Sequence, residues 1–138
     1  MNTKTFIAGV LGGITYFLLG FLIYAVLLKE MTSNMGGTAT NVMRADADII
    51  YWALIIGNIG YGLAFAYILG SWSGVTTFLG GAKAAAVVAF LFVLGYDLSW
   101  YAVSNVMGLK GVCLDVVIFT FLSTIAGGVI GWWLGRSN

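Results

Sequence analysis

The chain has 138 residues, 61% of them hydrophobic and only 8% charged, with a net charge of +1. So little polar surface cannot solvate a water-soluble globule of this size, which places the chain in lipid and leaves no basic excess to attract nucleic acid. A lone cysteine, Cys113, excludes an intrachain disulfide, and the lack of histidine removes the usual haem and zinc ligands, so no metal and no cofactor is expected.

Four apolar stretches follow one another, at residues 5–28, 49–72, 83–107 and 112–134. Each has 23 to 25 residues. As helices they are about 35 Å long, enough to cross a hydrocarbon core of about 30 Å. Strand alternation is absent, which argues against a β-barrel. The expectation is an all-α, integral membrane four-helix bundle forming a single transmembrane domain over residues 1–138.

The first stretch follows Lys4 and runs too long for a signal-peptide core, without a clear cleavage site, so it reads as a retained helix. Gly9, Gly13, Tyr16, Gly20 and Tyr24 fall within an arc of about 80° when wound at about 100° per residue, one narrow contact stripe. The polar loop that follows carries Glu30, Asp46 and Asp48 beside Lys29 and Arg44. Asp46 and Asp48 precede the second helix, where negative charge suits an N-terminus and capping is the expected role.

The third stretch has two possible starts, at Lys83 or near Thr76, which is placed to cap an earlier beginning. Its apolar run extends to Met107, and only Gly108, Leu109, Lys110 and Gly111 separate it from the fourth. So short a link makes these two helices antiparallel neighbours. In the fourth helix Gly127, Gly131 and Gly135 share a side with Thr120 and Thr124, while Asp115 lies opposite. Small residues at such spacing let helix backbones approach, within the bundle or against another chain.

Asp97 is the residue of greatest interest. A carboxylate deep in a bilayer costs about 2.5 to 3.5 kcal/mol on insertion scales. Counting from the hairpin centre at about 1.5 Å per residue puts Asp97 about 19 Å deep and Asp115 about 8 Å, too far apart to share a proton. Ser123 is then level with Asp97, and Ser104 and Asn105 with Asp115. The same count places Tyr16, Asn58 and Tyr61 in the layer of Asp97, giving a mid-membrane polar layer of Tyr16, Asn58, Tyr61, Asp97 and Ser123. No Lys or Arg lies at that depth. Asp97 is expected either as a protonated acid locked to Asn58, or as an ion holding a cation or a partner's basic group.

Both termini share one face, called face A, with Lys4, Lys83 and Arg136 and no acidic residue. The opposite face B has Lys29, Arg44 and Lys110 among its acids. The basic counts are equal, and net charge favours a cytoplasmic face A with cytoplasmic termini. Trp72, Trp132 and Trp133 on face A, and Tyr51 and Trp52 on face B, mark the interfaces.

The helix 1 exit LLGFLIYAVLL with Gly20 and Tyr24, then Gly57, Asn58 and Gly60 in helix 2, then FLGGAKAAAV entering helix 3, resembles domain-of-unknown-function family 1761 over most of the chain. That resemblance implies a small four-helix protein of the bacterial cytoplasmic (inner) membrane and assigns no activity or catalytic residue. Two functional readings stand. One is a non-catalytic accessory or scaffold subunit that packs with its own copies or other membrane proteins through glycine faces. The other is a small oligomeric channel or transporter with a proton, cation or polar-solute site at Asp97. No nucleophile and base pair is evident, so an enzyme is not expected and no catalytic residue is assigned.

Overall fold

The computed structural model describes residues 2–33, 36–40, 46–72, 74–103 and 105–136. Its helices are α1 (Thr3–Gly20), α2 (Lys29–Ser33), α3 (Tyr51–Tyr67), α4 (Phe78–Val103) and α5 (Leu109–Leu134). Two of them continue in wider π-helical winding, α1 through Phe21–Leu27 and α3 through Ile68–Trp72. Four helices, thus extended, are long and apolar enough to cross a bilayer. The chain is an all-α four-helix bundle of a multi-pass membrane protein, as composition requires: in hydrocarbon only internally bonded backbone survives.

The antiparallel order brings the start of α1 against the end of α5, where the Lys4 ammonium donates to the Arg136 carbonyl. Asn2 caps α1 through its side-chain oxygen, which accepts from the Thr5 amide at 2.8 Å. The expected caps elsewhere are corrected. Thr77 rather than Thr76 caps α4, accepting from the Gly80 amide at 3.0 Å, so the helix starts at the earlier of the two expected positions. The N-cap of α3 is Ile50, with no side-chain hydrogen bond, so Asp48 does not cap it. Gly74 makes the turn before α4 with φ of 59°, a left-handed conformation that glycine adopts without strain.

Close backbone contact joins the helices in pairs. A methyl on Gly13 of α1 would lie 2.5 Å from Ile59 Cα of α3, and one on Gly9 would lie 2.8 Å from Leu63 Cα. From the other side, Gly62 of α3 meets Gly9 and Gly13. On α4, Gly81 meets Gly127 and Gly131 of α5. Gly12 of α1 fits against Ile130 of α5, joining the two pairs. Helix α5 is central: 44% of its most apolar window is buried, against 22–28% in the other spans.

The α4–α5 seam runs at four-residue intervals, with Gly81, Ala85, Ala89, Val93 and Asp97 of α4 all buried. The facing ridge of α5 is Asp115, Phe119, Ser123, Gly127 and Gly131. Gly81 touches Gly131 and Ala85 touches Gly127. Side-chain size therefore grows along the seam from glycine at face A to Val93, Phe119 and the two aspartates toward face B. Helices separate by the bulk between them, so this pair is closest at face A.

Candidate functional site

Where α4 ends decides the site. The apolar run reaches Met107, but α4 stops at Val103 and α5 begins at Leu109. Before α5, the link pairs with an extended segment: the Gly37 amide donates to the Val106 carbonyl and the Ala39 amide to the Asn105 carbonyl, both at 3.0 Å, and Gly36 bridges Met107. Backbone bonding to a distant segment thus replaces the last helical turn. Asp97 then lies six residues before the end of α4 and Asp115 six residues after the start of α5. Both are about 9 Å from that end of the hairpin.

The count that sets Asp97 about 10 Å deeper than Asp115 is overturned, because it carries α4 four residues too far and starts α5 three residues too late. Asp97 and Asp115 therefore face each other across the α4–α5 seam, close enough for their carboxyl groups to interact electrostatically. Asp115 Oδ1 also accepts from the Tyr24 hydroxyl at 2.5 Å. Tyr24 lies eight residues beyond Tyr16, a separation that in α winding would carry it about 80° around the helix. The wider turn from Phe21 turns less per residue and keeps Tyr24 toward α5; the Leu28 amide donates to Ile23, five residues back, at 2.8 Å. Asp97 is 5% exposed, and its Oδ2 is buried with no hydrogen-bond donor among the described residues.

The expected polar layer separates into two. Tyr16, Tyr61 and Ser123 do come together: the tyrosine rings lie 6.1 Å apart, each packs on Phe119, and the Tyr16 hydroxyl approaches Ser123. The approach stops short of a hydrogen bond, since Ser123 donates to the Phe119 carbonyl at 2.7 Å and the Tyr16 oxygen is left unpartnered. This layer is about eight residues, or about 12 Å, farther from face B than the carboxyl pair. Asn58 joins neither group. Its amide donates to the Leu54 carbonyl of its own helix at 2.8 Å, so the Asn58–Asp97 lock is overturned.

Asn105 is exposed in the link, where its carbonyl serves Ala39, and the hydroxyl on Asp115 is that of Tyr24. Ser104 and Arg44 lie outside the described residues. The glycines of α5 are used inside the bundle: Gly127 on Gly81 and Ala85, Gly131 on Thr77 and Gly81, Gly135 on Thr76. Gly9 and Gly13 pack as expected, whereas Gly20 meets nothing within 4 Å and is not a packing position. Sequence reasoning missed Gly12, Gly62 and Gly81; the last stands in the quoted FLGGAKAAAV, four residues before Ala85.

These elements define a class: a multi-pass four-helix membrane protein with a tyrosine-bonded carboxyl pair between its last two helices. No protein-family profile, curated protein or solved structure matches the chain. Among the described residues no three His, Cys, Asp or Glu side chains gather as a metal cluster.

Proposed function

We propose that this is a small proton-conducting membrane protein, a channel or transporter whose binding site is the Asp97–Asp115 pair. One observation carries the reading: two carboxyl groups are neighbours within apolar spans, and Asp97 Oδ2 is buried without a donor among the described residues. Two charges cannot both persist there, and a proton held between the groups supplies the missing donor. The Tyr24 hydroxyl supplies a donor to Asp115 Oδ1. The protein's place is the bacterial cytoplasmic membrane, with face A and both termini cytoplasmic, as the uncompensated Lys4, Lys83 and Arg136 suggest.

The pair lies nearer face B; toward face A the buried polar side chains are Tyr16, Ser123 and Thr5, set among Ala8, Gly12, Ala85, Ala89, Ala126 and Ile130. Proteoliposomes with an ionophore-set potential and an internal pH dye test the proposal. Proton flux should appear with the wild-type chain and fall to the liposome background in Asp97→Asn. Flux that is absent, or unchanged in both Asp97→Asn and Asp115→Asn, refutes it.

A second reading, the accessory or scaffold subunit, has its own support. Gly57 and Gly60 on α3 and Gly95 on α4 meet nothing within 4 Å and leave room for another helix, whether from a second copy or a different membrane protein. A stoichiometric partner copurified from native membranes, together with no flux, favours it.

A further inference from the structure

We propose that Lys4 and Arg136 together bind the phosphate of an anionic phospholipid at face A. They stand 132 positions apart, and the fold brings them together where α1 begins and α5 ends, with the Lys4 ammonium on the Arg136 carbonyl. That bond uses one of the three ammonium donors. The Arg136 guanidinium lies with its carbon over the Trp132 ring, 4.2 Å from the centroid, and 5.4 Å from the centroid of Trp133. Its five N–H groups have no acceptor among the described residues, and a guanidinium edge matches two phosphate oxygens.

The charged side chains of face A are all basic: it carries Lys4, Lys83 and Arg136 and no Asp or Glu, since the five acidic side chains lie at Glu30, Asp46, Asp48, Asp97 and Asp115. Such a face attracts anions. Position and surroundings select a lipid over a free ion. Both cations stand at the ends of membrane-spanning helices, at headgroup level. Trp132 is 46% exposed beside Arg136, and Phe6 is 50% exposed two residues below Lys4, so apolar surface continues from the phosphate site along the path of acyl chains.

The test is native mass spectrometry of the detergent-purified protein titrated with phosphatidylglycerol, and in parallel with phosphatidylcholine or inorganic phosphate. One phosphatidylglycerol should be retained in preference to phosphatidylcholine. Lys4→Ala and Arg136→Ala should each weaken retention about tenfold, the effect of losing one charged hydrogen bond. Lys4→Arg should keep it. Helical content by circular dichroism verifies that each variant is folded. Equal retention of both lipids, or retention indifferent to Lys4→Ala and Arg136→Ala in folded protein, overturns the proposal. Inorganic phosphate that displaces phosphatidylglycerol at equal concentration also overturns it, by making the ligand a free anion.

Discussion

Gly13→Ala should destabilise the bundle, while Gly57→Ala, the same change on the neighbouring helix, should not. The added methyl at Gly13 would lie 2.5 Å from Ile59 Cα and 2.9 Å from the Asn58 carbonyl oxygen. Ordinary carbon contacts are about 3.5 to 4.0 Å, so α1 and α3 must part by about 1 to 1.5 Å. Both atoms belong to backbone, so no side-chain rotation relieves the clash. The separation also loosens the contacts of Gly9 and Gly62, which share the crossing. Overpacking of this kind costs about 1 to 3 kcal/mol, offset by at most about 1 kcal/mol of helix propensity. A methyl at Gly57 meets nothing within 4 Å, which leaves only the propensity gain. Unfolding equilibria in lipid bicelles, measured by steric trapping, should give opposite signs for the two variants. A Gly13→Ala protein as stable as wild type, or equal losses at both positions, would refute the reasoning.

Tyr24→Phe removes the donor to Asp115 Oδ1 and should cost about 1 to 3 kcal/mol in the same assay. Ile130→Ala, at a fully buried side chain against Gly12, should cost about 2 to 5 kcal/mol. The helix register is tested in a Cys113→Ser background. Cysteines at Asp97 and Asp115 should join through a short bis-thiol crosslinker, whereas cysteines at Asp97 and Leu122 should not, because Leu122 is seven residues, or about 10 Å, farther along α5.

The four spans were legible because each apolar run has the length of a bilayer crossing, and the hairpin of α4 and α5 because its link is short. The end of α4 was not. From Val103 to Met107 no proline or glycine marks a stop, and the chain leaves the helix to pair with residues 36–39. That pairing is non-local, and its effect shifts the α4–α5 register by two helical turns. Tyr16, Tyr61 and Ser123 were placed together correctly because they lie on α1, α3 and α5 and do not depend on where α4 ends. Asp97 was misplaced because it depends on that alone. The stripe of Gly127, Gly131 and Gly135 was equally visible, but spacing does not say which helix fills it; Gly81 and Ala85 of the same chain do.

The register also explains why the carboxyl pair sits where it does. Along the α4–α5 seam, glycine against glycine near face A holds the two backbones in close contact, and the larger Val93 and Phe119 fill the seam toward Asp97 and Asp115. The other helices follow the same gradient. The buried residues of α1 are all between Thr5 and Tyr16, none of Phe21–Leu27 is buried, and α3 is exposed from Tyr51 to Gly57. Burial of α1 and α3 is therefore concentrated in the face A half, while around the acids it is α4 and α5 that stay packed, through Val93, Val112 and Val116. The Tyr24 hydroxyl reaches Asp115 from a span end with no buried residue, where Ile23, Tyr24 and Leu28 are partly buried against the core. Loss of that one hydrogen bond would leave Asp115 Oδ1 without its donor, at a cost of about 1 to 3 kcal/mol.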